Sequence, residues 1–283
     1  MNYRHSFHAG NFADVLKHAI LARILQHLNG KPTPYRVIDT HAGAGRYDLG
    51  ADDALRTHEW KDGIARLDRS PLAPEVEALL APDRDTIAAI RAEHGAAAYP
   101  GSPWFCRHAL RPFDRLIAAE LHPQTHAKLA EALARDGRGK ALAIDGWTAL
   151  RANVPPKERR GLVLIDPPFE EKDEFETLAQ QFIAAHRKWP TGIYMLWYPI
   201  KDSRAVSTLI DEVQEAGIAR LLRLEIDVDR PAAAGGLSAT GLLIANPPWR
   251  LAEEAQTLLP ALTERLAQGQ RPRYLCEAIR PDG

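Results

Sequence analysis

Two stretches of the chain share one pattern. LIDPPFE at residues 164–170 and IANPPWR at 244–250 each run from apolar residues to Asp or Asn, two prolines and an aromatic ring. A side-chain acceptor, a neighbouring proline carbonyl and a ring face can hold a planar amino group between hydrogen bonds and a stack. The prolines fix φ and keep the acceptors aimed. Both Asp166, Pro167, Phe169 and their counterparts Asn246, Pro247, Trp249 are therefore candidates.

Other groups that could do chemistry follow apolar runs. YRVID ends at Asp39 and continues as THAGAGRYDLG, in which Gly43 and Gly45 let backbone approach a ligand closely. The loop fits a dinucleotide fingerprint poorly, because Tyr47 and Asp48 stand where its last residues, ending in glycine, would be. RLIAAE ends at Glu120, ALAID at Asp145 before Gly146, and GLVLID at Asp166. Three carboxylates in succession close strand patterns after a glycine-rich loop. Ser102, just before Pro103, reads as a helix N-cap.

Helical and strand patterns alternate along the chain, as in an α/β protein with a mainly parallel sheet. Strands are expected at YRVID, RLIAAE, ALAID, GLVLID, GIYMLWY, ARLLRLEIDV and ATGLLIAN. The first helix should run from an Asn11 cap to Gly30, with others near 123–135, 171–188, 201–216 and 250–267. Seven strands with intervening helices predict a doubly wound sheet, whose ligand crevice lies at the carboxyl ends of its parallel strands. No acidic strand end stands about 20 residues beyond the glycines; Glu120 comes much later. Residues 51–98 therefore read as an inserted small helical subdomain on the ligand rim, dividing a main domain of 1–50 and 99–283.

The chain has 283 residues, net charge −1 and two cysteines. That length buries roughly 70–75% of the unfolded surface. Near-neutral charge excludes a wholesale polyanion coat and leaves room for a local basic cleft. MNYRHSFHAGN lacks an apolar signal core, and no run approaches the roughly 20 apolar residues of a membrane span. A cytoplasmic protein without disulfides or membrane contact is expected.

The order of glycine-rich loop, ribose acid, adenine acid and DPPF resembles class I, Rossmann-like methyltransferases that use S-adenosylmethionine on exocyclic amines. More closely, YRHSFHAGNFADVLKH, DTHAGAGRYDLG, YPGSP, ELHP, RRGLVLIDPPFE, LWYP and NPPW resemble the bacterial RlmJ family, which methylates an adenine of large-subunit (23S) ribosomal RNA. The matches run from residue 3 to about residue 250. The resemblance implies a seven-stranded sheet with its last strand antiparallel, N6 methylation of a flipped adenine, and S-adenosylmethionine without a metal. It assigns His18, His41, Ser102, Glu120, Asp145 and Gly146 to the methyl donor and Tyr3 to substrate, while the loop itself adds Gly43 to the donor set and Arg4, a cation among aromatic rings, joins the substrate set. Asp166 and the Pro167 carbonyl would accept the two amino hydrogens while Phe169 stacks on the base. The partner would be protein-free or early-assembly ribosomal RNA, and the enzyme a monomer.

Other classes fit less well. DNA adenine or protein glutamine methylation makes similar demands on the reacting amino group. A non-catalytic nucleotide-binding module would need only the loop and the strand-end acids. A histidine-based metal hydrolase fits poorly, since the chain has no HExxH and no CxxC. PPKERRG at 155–161 reads as a solvated loop at the opposite sheet edge. In the methyltransferase fold the strand before NPPW runs antiparallel and ends at that edge too, so Asn246 reads as a strand stop and Trp249 as a packing ring.

Overall fold

The unbroken apolar runs become strands because both faces of the sheet are covered. In the computed structural model, which describes residues 4–134, 136–231 and 236–279, the strands are β1 (Arg36–Asp39), β2 (Arg46–Asp48), β3 (Ala98–Pro100), β4 (Arg115–Ala119), β5 (Gly139–Leu142), β6 (Gly161–Ile165), β7 (Ile193–Pro199), β8 (Leu221–Asp227), β9 (Ala239–Ala245) and β10 (Arg273–Ile279). The helices are α1 (Phe12–Asn29), α2 (Asp52–Thr57), α3 (Ile64–Leu67), α4 (Pro74–His94), α5 (Ser102–Ala109), α6 (Pro123–Leu133), α7 (Gly146–Asn153), α8 (Glu174–Lys188), α9 (Ser203–Glu215) and α10 (Leu251–Leu266). Along β6, Leu162 and Leu164 enter the core shared with α1, α5 and α10, while Val163 and Ile165 enter the one beneath α8 and α9. That alternation explains why every β6 residue had to be apolar or small.

Among the described residues eight strands form one sheet, ordered β5, β4, β1, β6, β7, β9, β8, β10. The first five are parallel, and β9 runs antiparallel to both β7 and β8. All seven expected strands are present. An eighth, β10, pairs antiparallel with β8 at the edge. Segment 51–98 folds as α2, α3 and α4 with a short 3-10 turn, and β2 pairs with β3 where it leaves and rejoins the main chain. Val76, Leu80 and Ile87 of α4 share the core of α1.

Helix α1 starts as its sequence dictates: the Asn11 side chain accepts the Asp14 amide at 3.0 Å, and Gly30 follows the last turn. Its first turns nevertheless bury Asp14, Lys17 and His18 among apolar neighbours.

The two proline motifs part company here. Strand β9 pairs Ala245 with Tyr194 and Thr240 with Pro199, so it ends where β7 begins, opposite the carboxyl end of β6. Asn246 is the expected stop: at φ 52° its amide donates to the Pro190 and Gly192 carbonyls at 2.8 Å. Trp249 corrects the expectation of a packing ring, being 78% exposed because Leu251 takes the inward position as α10 begins. Asn246→Ala should cost about 1–3 kcal/mol, from two lost hydrogen bonds and a strained φ, without changing methyl transfer. Thermal melts beside transfer assays check this.

Candidate active site

Strand β1 lies between β4 and β6, where the chain order reverses, and beyond these carboxyl ends opens a cleft of about 850 Å³. His18, His41, Gly43, Ser102, Glu120, Asp145, Gly146, Asp166 and Pro167 all line it, although they come from six separate stretches of sequence. Ala51, Asp53, Glu93 and His94 bring both ends of segment 51–98 to the rim.

The glycine loop is shaped by its neighbours. Gly43 has φ +62°, and a Cβ there would meet the Tyr47 hydroxyl at 2.3 Å. That hydroxyl accepts the Ala44 amide at 3.2 Å, so Tyr47 pins the turn from a position where a nucleotide fingerprint has other residues. Gly146 packs against the loop so closely that a Cβ would fall 2.4 Å from the Thr40 carbonyl and 2.5 Å from His41 Nε2. Thr40 Oγ1 lies 2.8 Å from His41 Nδ1, and the imidazole meets Trp147 edge-on at 5.0 Å. Burial pushes His41 down to about 4, against the pull of Asp166 and Asp145, so it is neutral near pH 7. Burial also pushes His18 down to about 3; its Nδ1 lies 3.0 Å from the Tyr99 hydroxyl.

Two expected positions need correction. Ser102 is the first residue of α5 rather than its cap: Gly101 holds the cap position, and the Ser102 hydroxyl donates to Asp39 Oδ2 at 2.7 Å. Asp145 does not end its strand, since β5 stops at Leu142; it caps α7 by accepting the Thr148 amide at 2.8 Å. Glu120 does follow β4 directly and accepts the His122 amide through Oε1 at 2.7 Å.

Asp39, at the end of β1, is fully buried, and its Oδ1 has no partner. Burial pushes its carboxyl up to about 7, against the Ser102 hydrogen bond. A carboxyl raised in the folded state contributes stability that is complete below its unfolded value of 3.8 and is lost as pH rises through about 7. Asp39→Asn should therefore remove a decline of at most about 1.4 kcal/mol per pH unit, visible as a narrower gap between melting temperatures measured at pH 4.5 and pH 8.

A buried charge chain was invisible in the motifs. Lys17 Nζ donates to Asp166 Oδ2 at 2.6 Å and to Asp14 Oδ1 at 3.0 Å, with the lysine side chain 6% exposed and that of Asp166 16%. His5 Nε2 lies 2.9 Å from Asp14 Oδ2. Burial alone would raise Asp14, but His5 and Lys17 hold it well below the ordinary carboxylate range. Burial alone would lower Lys17, but Asp14 and Asp166 raise it above the ordinary lysine range. Asp166 lines the cleft, and its Oδ1 carries no hydrogen bond to the described residues.

The amino-terminal segment forms a 3-10 turn at His5–Phe7, tied down by the His5–Asp14 contact and by Ser6 donating to Asp53 at 2.7 Å. Arg4 lines the cleft, whereas Tyr3 lies outside the described residues. Pro168 and Glu170 also line the cleft; Phe169 between them has φ 51° and packs its ring on Phe175 at 4.8 Å and Trp197 at 5.7 Å. Among the described residues no three His, Cys, Asp or Glu side chains converge in a metal-ligating group.

The chain is similar to known proteins. A family model described as "Ribosomal RNA large subunit methyltransferase D, RlmJ" matches residues 32–275. The chain is 38% identical over 267 residues to "Ribosomal RNA large subunit methyltransferase J" of Escherichia coli (strain K12), covering 94% of each. It is 34% identical over 286 aligned residues to the Haemophilus influenzae protein of the same name, covering 100% of each. A crystal structure of a Legionella pneumophila protein superposes with TM-score 0.86 at 34% identity, covering 96% of this chain and 98% of that one. The chain thus belongs to the RlmJ family of large-subunit ribosomal RNA methyltransferases, and its sheet is that of a Rossmann-like class I methyltransferase.

Proposed function

We propose that the protein transfers a methyl group from S-adenosylmethionine to the N6 amino group of one adenine in large-subunit (23S) ribosomal RNA, acting as a cytoplasmic monomer on protein-free or early-assembly RNA. The observation that carries this reading is the Lys17–Asp166 pair, which fixes the DPPF acceptor beside a cleft large enough for the donor.

The residues present fit the donor. Gly43 and Gly146 line the cleft and let its loops pack closely, since a Cβ on either would strike Tyr47, Thr40 or His41, and Asp39 Oδ1 is a buried acceptor still without a partner. Glu120, with one oxygen held by the His122 amide, has the other for ribose hydroxyls, and Asp145 stands ready for an adenine amine. Neutral His18 and His41, with Ser102, wall the remainder without adding positive charge. When bound, the donor supplies an electrophilic methyl on a sulfonium.

The chain's own part is acceptor chemistry. An exocyclic amine is a poor nucleophile because its lone pair is shared with the ring. Asp166 Oδ1 would accept one amino hydrogen and the Pro167 carbonyl the other, turning the lone pair out of the ring plane. Lys17 holds Oδ2, so the carboxylate cannot rotate away. Phe169, half-buried and buttressed on Phe175, is the ring on which the flipped adenine would stack. Arg4, Arg46, Arg107 and Lys128 on the cleft wall suit the RNA backbone.

The test offers donor with a radiolabelled methyl group to unmethylated large-subunit ribosomal RNA, duplex DNA and a glutamine-containing protein acceptor. Label is expected in RNA alone. Label confined to DNA or protein would overturn the substrate assignment.

A further inference from the structure

The second proline motif leaves a surface that the catalytic cleft does not use. Trp249 projects into solvent, and the Arg250 guanidinium lies over its ring at 5.6 Å. Beside them a groove of about 300 Å³ runs between the end of α1 and the turn joining β9 to α10, with His27 and Lys31 on its far wall. A flat indole so exposed offers stacking area, with Arg250 as a cation beside it.

Charge narrows what can stack there. Among the described residues the groove's one carboxylate, Glu254, is already held by Arg23 through two hydrogen bonds of 2.9 and 2.7 Å. Arg250 reaches it only at 3.9 Å and keeps 58% of its side chain exposed. Arg160, next to the groove, donates to the Leu28 and Thr33 carbonyls at 2.9 Å rather than to a carboxylate. Burial, with Arg160 and Lys31, pushes His27 below its ordinary value, as a positive local field should. The whole chain carries net charge −1, so this field belongs to the groove and not to the protein at large.

We propose that this groove is a second RNA contact, in which an unstacked base of the substrate lies on Trp249 and the flanking phosphates meet Arg250 and Lys31. The inference rests on the RNA-methyltransferase reading and extends it to the opposite sheet edge. Lys17 in the cleft and Lys31 beyond the same helix stand about 20 Å apart along α1, at 1.5 Å per residue. RNA long enough to span that distance gains the contact, and a short acceptor fragment does not.

The test measures affinity for full-length large-subunit ribosomal RNA by filter binding at several salt concentrations. Wild type is compared with Trp249→Ala, Trp249→Phe and Arg250→Ala, alongside donor affinity and melting temperature. Trp249→Ala should weaken RNA binding on the order of tenfold, and Trp249→Phe should restore most of it. Arg250→Ala should reduce the slope of log Kd against log salt by about 0.7–0.9. Donor affinity, melting temperature and turnover at saturating RNA should not change. RNA affinity unaltered by both alanine variants would overturn the proposal, as would variants that lose only binding to phosphatidylglycerol vesicles. If these effects appear while wild type transfers no methyl to RNA, the groove stands and the catalytic reading fails.

Discussion

Asp166→Ala is expected to reduce methyl transfer by about three orders of magnitude or more, the range for removing a positioned acceptor or acid–base group. Donor affinity should change by no more than a few-fold, because the proposed donor contacts are Glu120 after β4 and Asp145 at the cap of α7 rather than Asp166. Asp166→Asn sharpens the reading. An amide keeps the size and one carbonyl acceptor, but its nitrogen cannot accept, and Lys17 loses an anionic partner at 2.6 Å. Single-turnover rates with saturating donor, beside calorimetric donor affinities, separate loss of chemistry from loss of binding. Equal single-turnover rates for Asp166→Ala and wild type would falsify the assignment.

Lys17→Met carries the second large effect, and it acts on stability as well as rate. The substitution fills similar volume but leaves Asp14 and Asp166 as neighbouring carboxylates without their shared cation. Breaking one side of a buried ion pair costs about 3–5 kcal/mol, which corresponds to roughly 5–15 °C in melting temperature for a chain of this size. Methyl transfer should fall at least about a hundredfold, because the Asp166 carboxylate is then free to rotate. Adding Asp14→Asn to Lys17→Met should recover part of the stability and little of the activity, because Asp166 still lacks its anchor, whereas a merely structural lysine would regain both. The sign of the pH dependence follows from the pair: Asp14 is depressed and Lys17 raised, so the stabilisation is complete between about pH 3.8 and pH 10.5 and is lost progressively as pH falls below or rises above those values.

The elements that place the site were legible because their physics is local. Apolar runs bounded by Asp39, Glu120 and Asp166 became strands ending at one edge, and Asn11 capped α1 as its type requires. What failed to show was long-range. Lys17 meets a carboxylate 149 residues away, and nothing in helix periodicity names that partner. The signal that was present is the run of Asp14, Lys17 and His18 on one face between Val15, Leu16, Ala19 and Ile20, polar groups that must be paired if that face is buried. Strand β10 escaped notice because an edge strand, exposed at Arg273 and Tyr274, shows no clean alternation. Ser102 was off by one residue, since both Gly101 and Ser102 are acceptable caps and only the reach to Asp39 decides between them. Trp249 shows the limit of motif reading: its tetrapeptide repeats that of Phe169, and strand direction alone sends it to the opposite edge.

The central claim is that this cleft methylates an adenine amine of large-subunit ribosomal RNA with Asp166 as the fixed acceptor. Mass-spectrometric mapping of unmethylated large-subunit RNA, after incubation with donor and either wild type or Asp166→Ala, tests it most directly. The account predicts one new N6-methyladenosine with wild type and none with the variant. A methyl on a ring nitrogen, on ribose or on another base, or an equal N6 signal from the variant, would contradict it.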